Sequence, residues 1–510
     1  MQLLHIIIFI FILSKLSKKY KNLSFSDLNF KRLDFTNYKQ IKLFIFKKNF
    51  HRLNYRNVHS FEFLNFSQNL GGRIGISLSR VSIFNWFNLN KNKIGYPWTE
   101  DLTSKRLINI IYNYDFINSS STFEENKKLK KIIFFHIQRV VYNFKNKKID
   151  EITSYDLIAS ILSYLILKRN TEKYVNYVNL IVSKQLDYLG MHKSYNILEH
   201  AKFLNNLHEL KNILLYFKKN IPPNIEESII KMTSILNEYF HLDGSIPLFN
   251  GSNNNYNKII YNSLNKEEYL RSREFSKSKN GIAFYSDKNK KLFFDVVQPS
   301  INQISNNMSA SSLSFEFSCY GEKIISNCGA SESSGRNPEY LRYSAAHSTI
   351  ILQNTNISEI KEHGPLLQPP QSVTFESNKV NESTIFEGSH NGYQKKFSKI
   401  IKRKLVLRDK LNKLEGEDTI ISVKNISGRI IYHIRFHLVS GMVFNFTNNK
   451  KNIILRSKLN NMWLFKSDVE LEVEDSIIVD NNITVPTKQI VIKGFTNDQK
   501  IKRRWSLEKI

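Results

Sequence analysis

The feature that most constrains the fold is a change of hydrophobic period near the middle of the chain. Up to about residue 240, Leu, Ile, Phe and Tyr recur three and four residues apart, with Asn and Lys between, over 105–116, 129–144, 154–167, 174–189, 197–217 and 225–240. That spacing puts one apolar stripe on each of several consecutive helices. Pro222 and Pro223, followed by Asn224 and two glutamates, supply a break and then a helix start. After a turn-rich stretch at 241–255 the period falls to about two. Leu313, Phe315 and Phe317 alternate with Ser314, Glu316 and Ser318; 431–438 and 489–495 behave alike, and a last strand falls near Trp505 and Leu507. Helices first and strands afterwards predict segregated α and β domains and exclude a doubly wound sheet. The expected architecture is an α+β chain: paired antiparallel helices curling into an incomplete (α/α) toroid, or a plain bundle, then an antiparallel β-sandwich.

The 510 residues, 41% of them hydrophobic, suffice for two cores. The expected division is an N-terminal extension over 1–94, a helical domain over 95–255 and the sandwich over 256–510. Lys and Arg total 74 against 45 Asp and Glu, a formal charge of +29 that favours polyanionic partners. The basic residues are spread along the chain and form no arginine-rich arm, so a nucleic-acid partner is not expected. Abundant Lys, Asn, Ile and Phe with scarce Ala also point to an AT-rich coding sequence as one source of that charge.

Cys319 and Cys328 are the only cysteines, which excludes a disulfide framework and a cysteine-based zinc module. They flank a hairpin turn at Gly321 and Glu322; Cys319 is expected opposite Ile324 or a near neighbour, and both thiols free. The apolar run 3–13 is shorter than the roughly 20 residues of a membrane span. It reads as a buried or membrane-surface helix, a degenerate export signal or an anchor, so peripheral membrane contact through 3–13 stays open.

Residues 307–359 carry four ordered blocks: LSFEFS at 313–318, NCGA at 327–330, AAHST at 345–349 and NTNISE at 354–359. In this order they resemble the C-terminal domain of the heparinase II/III family of polysaccharide lyases, in the variety found in many alphaproteobacterial sequences. DGSIPLFNGS at 243–252, SHNGY at 389–393, IRFHL at 434–438 and LGMHKSYN at 189–196 extend the likeness over roughly 95–510. The resemblance implies β-elimination on a uronic-acid polysaccharide: a base takes the proton α to the sugar carboxylate, an amide or cation stabilises the aci-carboxylate, and an acid protonates the leaving oxygen. It implies an acidic polysaccharide partner and a place in the periplasm or cell envelope, with the cytoplasm as the alternative.

Family members show a HAHA segment ahead of LSFE, and some hold zinc through a His of that segment, an Asp of the next strand and the His of the AHST-like block. Aligned on LSFE, the HAHA histidines fall on Asn307 and Ser309, and the Asp falls on Asn327. Only His347 remains of the three ligands, so no zinc and no other cofactor is expected, and His347 reads as hydrogen-bonded between strands. On the helical side the family's catalytic Tyr falls on Glu199, with His200 keeping the adjacent His. His192, Tyr195, His200 and His347 are therefore the candidate catalytic residues, with Asn196, Asn307, Ser309, Asn327, Arg336 and Arg342 as substrate contacts. Tyr195 either replaces the missing tyrosine or is an exposed loop residue; Arg336 and Arg342 either pair with a carboxylate or are solvated. Glu316 reads as a sandwich residue. Trp86, Tyr96 and Trp98 read as core or as sugar-stacking rings. Two functions follow from these departures: a lyase with altered machinery, or a catalytically inactive glycan-binding or envelope-assembly protein on the same scaffold.

Overall fold

A computed structural model describes Ile41, Ile45 and residues 56–148, 151–262, 281–299, 307–331, 338–362, 364–408, 411–424, 428–447, 449–480, 482–496 and 500–510. The apolar run 3–13 and Arg336 lie outside the described residues. The chain divides into two compact units, one of 1–184 with 202–229 and the other of 185–201 with 230–510.

The first unit is helical, through Phe63–Leu70, Gly72–Asn90, Glu100–Tyr112, Phe123–Asn146, Ser154–Ile166 and Glu172–Gln185, with parts of Ile197–Tyr216 and Pro223–Glu238. Thr122 with Glu125, and Thr153 with Asp156, close reciprocal capping boxes that fix where two of these helices begin. Gly72–Asn90 is a helix of 19 residues inside a stretch whose sequence shows no sustained period. The reason is that Ile74, Val81 and Leu89 stay exposed while Ile83, Trp86 and Phe87 are buried, so apolar residues occupy both faces. Trp86 and Trp98 are core residues packed edge to face at 5.3 Å, which removes both from the sugar-stacking set; Tyr96 is exposed.

The second unit holds the sandwich. One eight-stranded sheet runs Gly281–Ser286, Lys290–Val296, Phe315–Cys319, Glu322–Ser326, Ile430–Leu438, Ile483–Thr496 and Glu472–Asp480, with Ile350–Leu352 paired onto Ile430–Leu438. The other runs Val443–Phe446, Asn452–Arg456, Met462–Ser467, Ile501–Lys509, Lys413–Ser422, Lys399–Arg408, Ser383–His390 and Val373–Val380. Alternation sends Phe315, Phe317 and Phe436 inward against Phe465 and Trp505, with the Phe436 and Trp505 rings 4.7 Å apart. Gly416 lies opposite Trp505, where a Cβ would fall 2.2 Å from the indole, so the large ring needs glycine as its neighbour.

Tyr320 and Gly321, at φ 52° and 76°, make the hairpin turn, and Cys319 pairs with Glu322 rather than with Ile324. Both cysteines are free and buried, with burial as the main cause pushing their thiols up to about 12. The alternate residues Glu316 and Ser318 are buried as well, because the chain from His241 to Asn250 lies across that face of the sheet.

Candidate active site

Asn196 caps the helix Ile197–Tyr216. Its Oδ1 accepts from the backbone N–H groups of Leu198 at 2.8 Å and Glu199 at 3.2 Å. The rest of the amide reaches across the fold: Nδ2 donates to the Asn250 carbonyl at 3.0 Å, and Oδ1 also accepts from the Ser252 hydroxyl at 3.2 Å. Asn250 in turn accepts the Ser309 N–H on its Oδ1 at 3.1 Å. Between them sits Gly251 at φ 86°, where a Cβ would lie 3.3 Å from both Asn196 Nδ2 and Asn307 Cβ. Three segments far apart in sequence, 192–200, 250–252 and 307–309, thus meet at one glycine. The structure brings Asn196, Asn307 and Ser309 together, with Asn307 exposed.

Tyr195 belongs to the same cluster. At φ 50° it turns its ring against Gly281, where a Cβ would sit 2.7 Å from Cε1. It is half-buried rather than an exposed loop tyrosine, and its hydroxyl has Asp187 as hydrogen-bond partner. Burial first, then the Asp187 charge, raises its pKa, so the phenol stays protonated at neutral pH. Asp187 is itself raised by burial, against N–H donation from Met191 and Leu189.

The two histidines here are fully engaged. His192 Nδ1 accepts from the Ser194 hydroxyl at 2.7 Å, and its Nε2–H donates to Gln185 Oε1 at 2.8 Å. His200 Nδ1 accepts the His192 N–H at 3.3 Å, and its Nε2–H donates to the Met232 carbonyl at 2.9 Å. Burial is the main force that pushes them down to about 4 and about 3, so both are neutral. Their ring nitrogens hold the loop 185–200 together; neither presents a lone pair for proton abstraction.

The NCGA and AAHST blocks lie side by side on the sheet. Asn327 is buried, donates its backbone N–H to Glu316 at 2.9 Å and accepts the Ser348 N–H on Oδ1 at 3.0 Å. His347 is buried, and among the described residues neither ring nitrogen meets ordinary hydrogen-bond geometry, the Leu341 backbone being its near partner. Burial pushes it down to about 4, only partly offset by the Glu316 charge and the Leu341 backbone. Arg342 is neither solvated nor a fork for a ligand carboxylate. It is 2% exposed, and its Nε and Nη2 donate to the Met308 and Gly364 carbonyls at 3.0 and 2.7 Å, clamping the turn that carries Asn307 and Ser309.

Several residues of consequence escaped the sequence reading. Asp295, on Lys290–Val296, accepts from the Ser311 hydroxyl at 2.6 Å, lies within electrostatic reach of Tyr195 and Tyr239, and is raised by burial to about 7. His437, in the IRFHL block, lies close enough to His347 for the two to disfavour each other's charge. Glu316, expected as a plain sandwich residue, accepts from His241, Lys323, Leu248 and Asn327.

The zinc of some heparinase-type proteins needs a carboxylate beside its imidazoles, and here Asn327 stands in that place. Among the described residues no three His, Cys, Asp or Glu side chains gather to hold a metal. The donor set therefore does not fit zinc.

Helices followed by two stacked antiparallel sheets define the architecture of the heparinase-type lyases. The chain superposes on a crystal structure titled heparinase III with a TM-score of 0.72, at 12% identity, over 98% of this chain and 89% of that one. Heparan sulfate lyase HepC from Pedobacter heparinus gives 0.64 at 12% identity over 98% and 87%, and a Paenibacillus xanthan lyase gives 0.51 at 9% over 98% and 56%. At these identities the likeness is one of fold. No curated protein matches the sequence significantly. Residues 271–506 match the family model described as heparinase II/III-like, C-terminal, so the strand-rich part of the chain carries a heparinase II/III-like C-terminal domain.

Proposed function

We propose that the chain is a polysaccharide lyase that takes an acidic, uronic-acid-containing glycan of the cell envelope and breaks it by β-elimination. The observation that carries this reading is the meeting of Asn196, Asn307 and Ser309 around Asn250 and Gly251, with the neighbouring Tyr195 packed on Gly281. Asn196 Nδ2 would face the sugar carboxylate as a neutral donor, and Tyr195, as phenolate, would take the proton α to the carboxylate and, as the phenol so formed, return it to the leaving oxygen. Positive charge on the chain favours approach of the polyanion. A periplasmic setting suits that substrate.

Because the Tyr195 phenol is held protonated, this mechanism needs its rarer phenolate. Turnover should then climb with pH through the alkaline range without the plateau near neutrality that a histidine base would give. The assay is absorbance of the unsaturated 4,5-product on a panel of uronic-acid polysaccharides. Tyr195→Phe should abolish product while the thermal transition stays within a few degrees. Undiminished turnover in that variant removes Tyr195 from the chemistry.

A second reading, a glycan-holding protein without turnover, is favoured by one observation: every ring nitrogen of His192 and His200 is already engaged. Binding without product on the same panel would select it, and absence of binding to any glycan would sink both.

A further inference from the structure

Asn327, His347 and His437 converge on the outer face of the sheet around Ser348. The Ser348 N–H donates to Asn327 Oδ1 at 3.0 Å, and its hydroxyl accepts the His437 N–H at 3.0 Å. All three side chains are at least 97% buried; among the described residues Asn327 Nδ2 has no hydrogen-bond partner, and the ring nitrogens of His347 and His437 Nε2 meet none at ordinary geometry, with only the Leu341 backbone near His347 and the Ala345 and His347 backbones near His437. The remaining His437 nitrogen, Nδ1, contacts the Ser476 hydroxyl at 2.7 Å and Cys328 Sγ at 3.7 Å. Buried polar atoms left without partners are rare, and several at one place point to a guest that completes them.

The polarity of that guest follows from Asn327. A backbone N–H aimed at its amide fixes which end is oxygen, since an N–H cannot donate to an NH2 group. The unpartnered end is therefore Nδ2, a donor. A donor aimed into the position repels a metal cation and requires an acceptor. The two imidazoles, neutral through burial, can supply an N–H or a lone pair according to tautomer and so adapt to either kind of guest. The amide alone decides.

We infer that this position binds an acceptor-bearing small guest, ordered water, in place of a cation, and that the single amide of Asn327 sets that preference. An aspartate at 327 would keep one oxygen on the Ser348 N–H and turn the other, charged, toward His347 and His437, a donor set suited to zinc. The inference concerns the stability and metal content of the chain and is independent of whether it turns over glycan.

The test compares full-length wild-type protein with Asn327→Asp. Both are loaded with zinc, desalted and assayed for bound metal, with thermal melts run with and without zinc and a chelator. Wild type should retain no stoichiometric zinc and melt at the same temperature under all conditions. Asn327→Asp should retain zinc and gain thermal stability with it. Stoichiometric zinc in the wild type overturns the inference, as does a folded Asn327→Asp that binds none. Should that variant not fold, calorimetric titration of zinc into wild type decides alone: no heat of binding supports the inference, and saturable binding that His347→Ala abolishes overturns it.

Discussion

Glu316→Gln is the substitution that most directly probes what holds the candidate site in place. The Glu316 carboxylate is fully buried and meets only donors: His241 Nε2 at 2.9 Å, Lys323 Nζ at 2.8 Å, and the N–H groups of Leu248 at 3.0 Å and Asn327 at 2.9 Å. An amide keeps one acceptor and turns the other into a donor, so whichever way it is set, a donor faces a donor. It also leaves the Lys323 ammonium, 5% exposed, without its carboxylate. Breaking one side of a buried pair costs about 3–5 kcal/mol. Lys323 and His241 lead the causes that hold Glu316 down, against burial, from 4.5 to about 2. At about 1.4 kcal/mol for each tenfold change in proton affinity, that shift is worth about 3 kcal/mol.

The two figures agree, and for a unit of this size they correspond to a drop in melting temperature on the order of 10 °C. A depressed carboxylate stabilises the fold above its unfolded value and loses that contribution as pH falls from 4.5 toward 2. His241, pushed down mainly by burial to about 4, stabilises as the neutral imidazole and loses its share between 6.5 and 4. The gap between wild type and Glu316→Gln should therefore be widest above pH 4.5 and close as pH falls toward 2. Urea denaturation across that range measures it. Adding Lys323→Met to Glu316→Gln should recover about 1 kcal/mol or more, because the stranded cation is gone. A single variant that melts within about 2 °C of wild type, or a gap that does not change between pH 6 and 3, refutes the reasoning.

Other substitutions separate framework from chemistry. Arg403→Met strands Asp418, which the guanidinium holds at 2.6 and 3.1 Å, and frees the Leu313 and Ser348 carbonyls; denaturation should show a loss of about 3–5 kcal/mol, with Arg403→Lys recovering only part. Arg342→Met should cost about 2 kcal/mol or more by leaving the Met308 and Gly364 carbonyls unpaired, and glycan binding should weaken with it because the 307–309 turn loosens. Asn196→Ala should cost about 1 kcal/mol as a lost helix cap. If the amide also meets the sugar carboxylate, its effect on glycan affinity should exceed that of Ser252→Ala, which touches the same cap. His192→Ala should lower stability through the freed Ser194 and Gln185 without changing the pH profile of any turnover.

The helices-then-strands order was legible because period is written in local spacing, and LSFEFS folds as it reads, with Phe315 and Phe317 in the core. Gly72–Asn90 was not, because its exposed Ile74 and Val81 blur the stripe. The site was legible only in part, and the limit is physical. Asn196, Asn307 and Ser309 could be named from their motif blocks, and Asn250-Gly251 reads as a turn, but no local pattern tells that this turn meets 192–200 and 307–309. Arg342 reads as a loop arginine until two carbonyls are seen to surround it. Asp295 sits at an unremarked place in FFDVV, and only burial beside Ser311 gives it a titration near neutrality.

The histidines show why a residue type cannot carry a role by itself. His192, His200 and His347 were equal candidates, each matched to a family block, and burial makes all three neutral. What distinguishes them is where their ring nitrogens end. His192 and His200 spend both on Ser194, Gln185, Met232 and the backbone of the loop they share, and so belong to the framework. His347, matched to a zinc ligand, has neither ring nitrogen in ordinary hydrogen-bond geometry among the described residues, and the same holds for Nε2 of its neighbour His437. Chemistry at a buried position needs an uncommitted atom. On that criterion the 192–200 loop offers the second donor of Asn196, whereas the Tyr195 phenol has to leave Asp187 before it can act, and the least committed imidazoles lie with Asn327.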